Sequence, residues 1–247
     1  MDSTLLLGHR KPVLFFSAGK DSLACLLLLK PLLDRVTVVW ANPGAPHPAT
    51  VAYMGRIRSW VPNFVELVGN QPSWIRAHGW PADVVPIRAT TDGEASAGVG
   101  SLRFQPYLSC CWANMWAPML EYLNASGSTL VIMGQRKAEN LRNRLRDEVV
   151  QELDGITYWQ PLNEWSDQAV WAFLRECGAE VPPFYEQGAT SSSDCWNCTA
   201  YLDHNAERLA YLRRSEPERF AVVHTVLEAL ALRQQQEIQP LLRILED

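Results

Sequence analysis

Val13-Leu14-Phe15-Phe16 followed by Ser17-Ala18-Gly19-Lys20-Asp21-Ser22 is the stretch on which the fold turns. The four apolar residues suit a short strand buried on both faces. The run Leu23-Ala24-Cys25-Leu26-Leu27-Leu28-Leu29 is long and apolar enough for a helix packed on that strand's sheet. A strand, a tight polar turn and a helix start make an anion site: small residues let the backbone approach a ligand, helix-end amides point at it, and Lys20 adds positive charge. Ser17, Ala18, Gly19, Lys20, Asp21 and Ser22 are therefore candidate phosphate ligands. The hexapeptide is not a Walker loop, because Leu14 stands where that pattern needs its first glycine and Asp21 where it needs Ser or Thr. An ordinary strand-to-helix turn is the plainer alternative.

Moving outward, residues 36–40 read as a second strand and Leu130-Val131-Ile132-Met133 as another. The latter ends at Gly134-Gln135-Arg136-Lys137, which puts Arg136 and Lys137 just past a strand end, the edge where open α/β sheets hold ligands. Arg142, Arg144 and Arg146 extend this basic patch, and Glu139, Asp147 and Glu148 temper it, so a solvated face is the competing reading for the outer arginines. Ser166 reads as the cap of a helix beginning at Asp167, with aromatic spacing that belongs to packing. Residues 203–247 show apolar residues at helical spacing and read as two or three amphipathic helices, interrupted near Pro217 and Pro240. Such a tail packs on the main domain, or serves as a cap, a dimer element or a docking surface. The expected class is α/β with a doubly wound, mostly parallel sheet: one domain over 1–202 and a helical extension over 203–247.

Four of the six cysteines fall into an adjacent pair, Cys110-Cys111, and a spaced pair, Cys195-Trp196-Asn197-Cys198. Four thiolates are a complete ligand set for an iron–sulfur cluster or for zinc. Neighbouring side chains diverge in a helix or a strand, which favours a multi-iron cluster offering each sulfur its own iron; zinc and disulfides stay open at this point.

With 247 residues, 47% hydrophobic and 20% charged, the chain can bury a sizeable core. Its net charge of -5 argues against indiscriminate nucleic-acid binding while leaving room for a local basic patch. Residues 1–12 lack the apolar region and cleavage site of a signal peptide, and the apolar run ending at Leu29 stops at Lys30-Pro31, far short of a membrane span. The expected address is cytoplasmic, where reducing conditions favour cysteines as metal ligands over bridges.

These motifs resemble the PP-loop family, the adenine nucleotide alpha hydrolases, whose loop reads Ser-Gly-Gly-Lys-Asp-Ser; Ala18 replaces its first glycine, and Asn42 stands where relatives carry an acid. Within that family the likeness is to the phosphoadenosine and adenosine phosphosulfate reductases. Their cluster-binding members carry a Cys-Cys pair followed by a proline, here Cys110-Cys111 and Pro118, and a later Gly-Cys-X-X-Cys-Thr, here Asp194-Cys195-Trp196-Asn197-Cys198-Thr199. Gly134-Gln135-Arg136-Lys137 looks like their Gly-X-Arg-Arg segment, and the likeness runs over residues 13–199. It implies a [4Fe-4S] cluster on Cys110, Cys111, Cys195 and Cys198. It also implies an adenine nucleotide held by residues 17–22, Gly134, Arg136 and Lys137, with Mg2+ beside Asp21.

Two departures shape the expected activity. The reductases' carboxyl-terminal catalytic cysteine has no counterpart after Cys198, and Glu176-Cys177-Gly178 lies upstream of the second pair. Lys20, which ATP-splitting relatives keep, is present. The expectation is therefore an enzyme that binds ATP with Mg2+, cleaves it between the α and β phosphates and adenylylates an acceptor, as part of a sulfur transfer, with Lys20, Asp21 and Arg136 in the catalytic roles. The alternatives are a sulfonucleotide reductase using an external thiol and a nucleotide-binding subunit without catalysis. The acceptor is a small molecule or a nucleic acid, which the ten tryptophans permit. A sulfur- or electron-donor protein and a homodimer are the other partners considered.

Overall fold

Among the described residues there are eight strands and eleven α-helices. They run α1 (Ser3–Gly8), β1 (Val13–Phe15), α2 (Lys20–Leu28), β2 (Thr37–Asn42), α3 (Pro48–Arg58), β3 (Phe64–Val68), α4 (Gln71–His78) and β4 (Trp80–Ala82). There follow α5 (Thr91–Ala97), β5 (Phe104–Pro106), α6 (Tyr107–Cys111), α7 (Ala117–Ser126), β6 (Leu130–Met133), β7 (Val150–Leu153) and β8 (Ile156–Trp159). Helices α8 (Asp167–Glu176), α9 (Pro183–Glu186), α10 (Leu202–Ser215) and α11 (Pro217–Glu246) complete the series. The computed structural model describes residues 3–97, 102–138, 148–189, 192 and 195–246. Arg142, Arg144 and Arg146 lie outside that set.

The main sheet has six strands in the order β3-β2-β1-β6-β8-β7, parallel except for the β7–β8 hairpin. The winding reverses between β1 and β6, so a crevice opens at the carboxyl ends of those strands. Alternation along β1 feeds both layers. Leu14 and Phe16 pack with Leu23, Leu26, Leu130, Ile132, Val170 and Leu174 on one face, and Val13 joins Val39, Leu123 and Val131 on the other. The whole predicted strand–turn–helix is present, and Ser166 caps α8 as expected, its hydroxyl accepting the Ala169 amide at 3.1 Å.

The tail departs from expectation at one proline. Pro217 opens α11, but Pro240 sits inside it and the helix continues to Glu246. A proline removes one helical hydrogen bond; here the carbonyl left over belongs to Gln236, which is exposed and can bind water. The tail therefore forms two helices, within the expected two or three, with the interruption at Pro217 alone. Val226 and Leu230 of α11 bury against Ala82, Ala89 and Phe104 around the small parallel β4–β5 sheet. No helix among the described residues is long and apolar enough to cross a membrane.

Candidate active site

The crevice at the switch point is a cavity of about 400 Å3. Its walls come from the ends of three strands: Phe15 to Ser17 after β1, Val39 to Ala41 in β2, and Met133 to Gln135 after β6. Gly19, Lys20, Asp21 and Ser22 form its floor, and Met115, Trp116, Met119 and Tyr185 close it. The hexapeptide thus reaches the place where the sequence assigned a ligand.

Inside the loop the hydroxyls keep the turn in shape. Ser22 Oγ donates to the Gly19 carbonyl at 2.9 Å and accepts the Ser17 amide at 3.3 Å, and the Gly19 amide donates to Ser17 Oγ at 3.3 Å. The first helical amide, that of Lys20, donates to the Tyr185 hydroxyl at 2.9 Å. Ala18 is fully buried with φ 63, a left-handed conformation that suits the glycine it replaces and costs alanine roughly 1 kcal/mol. Gly134 is required for a different reason. A Cβ there would lie 2.6 Å from both the Asp21 carbonyl carbon and the Ser22 nitrogen, so only glycine lets β6 pass the start of α2.

Behind the loop four charged side chains close on one another. Asp21 accepts Lys20 Nζ at 2.9 Å through one oxygen and Arg136 Nε at 2.6 Å through the other. Asp167 Oδ1 accepts Lys20 Nζ at 3.2 Å and Arg136 Nη2 at 3.1 Å. Arg136 also donates to the Trp165 carbonyl at 3.3 Å. Lys20 and Arg136 are buried, at 4% and 2% side-chain exposure, Asp21 is partly buried at 13%, and Asp167 is 57% exposed. Arg136, expected to reach a phosphate, is therefore turned inward on the two carboxylates and does not line the cavity. Lys137 is half-exposed and lies 4.0 Å from Glu164. Asp167 is the member that sequence reasoning missed: an acid one residue past a helix cap reads as complementing the helix dipole, and nothing local announces its distant partners.

Cys110 and Cys111 close the carboxyl end of α6, and Cys195 and Cys198 lie on a turn before α10. The Cys195–Cys198 turn is tied to the loop before α3, with the Trp196 amide donating to the Ala45 carbonyl at 3.1 Å and Cys195 bridging Pro46. The Arg208 guanidinium of α10 binds the carbonyls of Cys195, Trp196 and Cys198 at 3.1, 3.2 and 2.7 Å. Asn114 clamps the first pair, donating to the Cys110 carbonyl at 2.9 Å and accepting the Asn70 amide at 3.1 Å. Burial, and then the charge of nearby Cys198, push the Cys110 thiol up to about 12, against the pull of hydrogen bonds from Asn114 and Gln71. Cys110 and Cys198 are thus close enough to feel each other, and none of the six cysteines forms a disulfide. Yet no group of three or more Cys, His, Asp or Glu side chains converges as a metal shell among the described residues. The donor set still fits a thiolate-ligated group: two cysteine pairs, none of them in a disulfide, with the Cys110 sulfur taking hydrogen bonds from Asn114 and Gln71. Directly after the first pair, Trp112–Trp116 winds as a π-helix, a widened turn frequent at functional sites, and leads from Cys110 to the cavity residues Met115 and Trp116.

The two remaining cysteines stay apart from the cavity. Cys25 is fully buried in α2, its thiol pushed well above the ordinary range by burial and then by Asp21. Cys177 is exposed at the end of α8.

The sequence profile of the phosphoadenosine phosphosulfate reductase domain matches residues 11–201. An adenosine 5'-phosphosulfate reductase from Burkholderia cepacia is 32% identical over 92 residues, which span 37% of this chain and 36% of that protein, so the match covers little more than a third of the relative's length. The crystal structure of a phosphoadenylyl-sulfate reductase from Candida auris, in complex with phosphate, superposes with a TM-score of 0.54 at 14% identity. That superposition covers 78% of this chain and 88% of the other, a likeness of fold.

Proposed function

The chain belongs to the phosphoadenosine phosphosulfate reductase domain family, and on that premise we propose that it binds an adenine nucleotide in the cavity at the β1–β6 switch point and splits ATP between the α and β phosphates to adenylylate an acceptor, in the service of sulfur transfer. The observation that carries this reading is the buried Lys20 ammonium at the floor of a cavity edged by the first turn of α2. Amides at a helix start and one ammonium suit a leaving pyrophosphate, because they face the charge that grows in the transition state and need no rearrangement to do so. Ser17, Gly19 and Ser22 supply further hydrogen bonds, and Tyr185 yields the Lys20 amide when a phosphate oxygen takes it. Arg136 acts through Asp21, fixing the carboxylate whose place is beside the nucleotide's Mg2+; the ion when bound offsets phosphate charge.

Cys110, Cys111, Cys195 and Cys198 would hold a [4Fe-4S] cluster. Such a group supplies one-electron chemistry and a clamp between segments. Arg208, Asn114 and Gln71 hold the cysteine-bearing backbone and the Cys110 sulfur in place around it. In anaerobically purified protein we expect about four irons per chain and their loss in Cys110→Ser; stoichiometric zinc without iron would refute the cluster.

A second reading, reduction of a sulfonucleotide by an external thiol, is favoured by the likeness to the adenosine 5'-phosphosulfate reductase of Burkholderia cepacia. An external thiol is needed because burial keeps Cys25 protonated and Cys177 does not line the cavity. Incubating anaerobic protein with ATP and Mg2+, and separately with each phosphosulfate plus thioredoxin, separates the two. AMP and pyrophosphate support the first, and sulfite the second.

A further inference from the structure

We propose that a second cavity, between α4, the single helical turn Ile87–Ala89 and α5, is a binding site for a nucleotide unit, a planar base with its phosphate. The cavity measures about 880 Å3, a size that takes a small molecule, and none of its residues lines the first one. Groups of three different chemistries meet on it. Trp74 and His78, one turn apart on α4, stack with ring centroids 4.0 Å apart at 34° and offer an aromatic platform. Arg88 lines the cavity from its own short turn, and Asp92 from the first turn of α5. Both are exposed, and no ion pair among the described residues takes up either charge. A base can stack on the aromatic pair, turn its amino edge to the Asp92 carboxylate and leave its phosphate to the Arg88 guanidinium. An aromatic face, a donor edge and an anion together describe a nucleotide, and no sugar, acyl chain or metal ion meets all three.

The walls are fixed before any ligand comes. Trp74 Nε1 donates to Gln105 Oε1 at 2.8 Å, and Gln105 Nε2 donates to the Gly79 carbonyl at 2.6 Å, so a buried amide locks the indole in place. Gly93 brings α5 against the turn that carries Arg88, where a Cβ would clash with the Ile87 carbonyl oxygen. The Arg88 amide itself is held by Glu237 of α11 at 3.0 Å. A platform ordered in this way loses little freedom when it binds. Ser109 lines this cavity, and Met115 and Trp116 line the first, so one stretch that includes Cys110 touches both.

The test is calorimetric titration with GMP, whose guanine edge offers a carboxylate two donors, and with a single-stranded RNA octamer. Trp74→Leu and Arg88→Gln should each weaken binding by about ten-fold, the worth of one stacked base or one charge-assisted contact, with thermal melts to establish that both are folded. Arg88 is exposed, so Arg88→Gln carries the test even if Trp74→Leu does not fold. Lys20→Ala, in the first cavity, should leave this affinity alone. Comparable affinity for the two probes supports a free mononucleotide as the ligand, and much tighter binding of the octamer supports a nucleic-acid strand. Failure of both probes to bind overturns the inference, as does wild-type affinity in folded Arg88→Gln, or a loss of binding in Lys20→Ala that Arg88→Gln does not share.

Discussion

The loop end and the cysteine end of this molecule are built on opposite terms. At residues 17–22 the charged groups pair with one another, Lys20 and Arg136 each reaching both Asp21 and Asp167, and the turn's hydroxyls are bonded within the loop. At the cysteine end the backbone is pinned by Arg208 and Asn114, but Gln71 Oε1, Asn197 Oδ1 and His47 Nε2 are buried without partners and the Cys110 thiol is held protonated. A site whose charges are already paired can release its ligand at every turnover. A site whose polar atoms wait for a partner gains stability from a resident one.

The largest effect is expected where the loop end's packing alone is destroyed. Gly134→Ala puts a methyl against the α2 backbone and should destabilise by about 3 kcal/mol or more, since backbone cannot yield as a flexible side chain does. Gly55→Ala, on α3 with nothing within 4 Å, is the control and should be neutral or slightly stabilising in the same urea titration. Equal effects at the two positions would mean the close approach is not rigid.

Lys20→Ala asks whether the charged network serves the ligand or only the fold. Nucleotide affinity should fall by roughly 1–3 kcal/mol, the worth of a charge-assisted bond. Calorimetry giving the wild-type affinity would remove the loop from the site.

The cysteine end has its own acid sensitivity. His47 is buried, accepts the Ala49 amide at Nδ1 and stacks on Tyr211, and burial lowers its pKa. A group whose folded pKa is depressed is bound by protons first in the unfolded chain, so its contribution is present above the ordinary value of 6.5 and lost as pH falls below it. Urea titrations at pH 7.5 and 5.5 should show that loss, and His47→Gln should flatten it. The smallest effect is expected at Ala18→Gly, which relieves a left-handed alanine and should stabilise by about 0.5–1 kcal/mol in thermal melts. A destabilised variant would mean that the Ala18 methyl packs better than its backbone is strained.

What the sequence made legible follows the range of the forces involved. Val13 to Ser22 and Leu130 to Gly134 were readable because apolar runs, a glycine turn and a helix start are local signals. The Ser166 cap was readable for the same reason, while Asp167 beside it was not, since its role depends on Lys20 and Arg136 arriving from other elements; Arg136 itself meets Asp21 across 115 residues of chain. The β4–β5 pair was hidden because Trp80–Ala82 and Phe104–Pro106 are three residues each and contain prolines, which argue against strands. The cysteine spacing named a ligand set, but spacing alone carries no information on how near Cys110 and Cys198 come.

The central place of β1 has a consequence in time. It pairs with β2 on one side almost at once, but its other neighbour, β6, lies more than a hundred residues further on, as the Cys25-to-Met133 contact across 108 residues records. During synthesis the edge of β1 must therefore wait, unpaired and apolar, until the ribosome has delivered that later strand. Partial chains in that interval present the kind of sticky strand edge that chaperones shield.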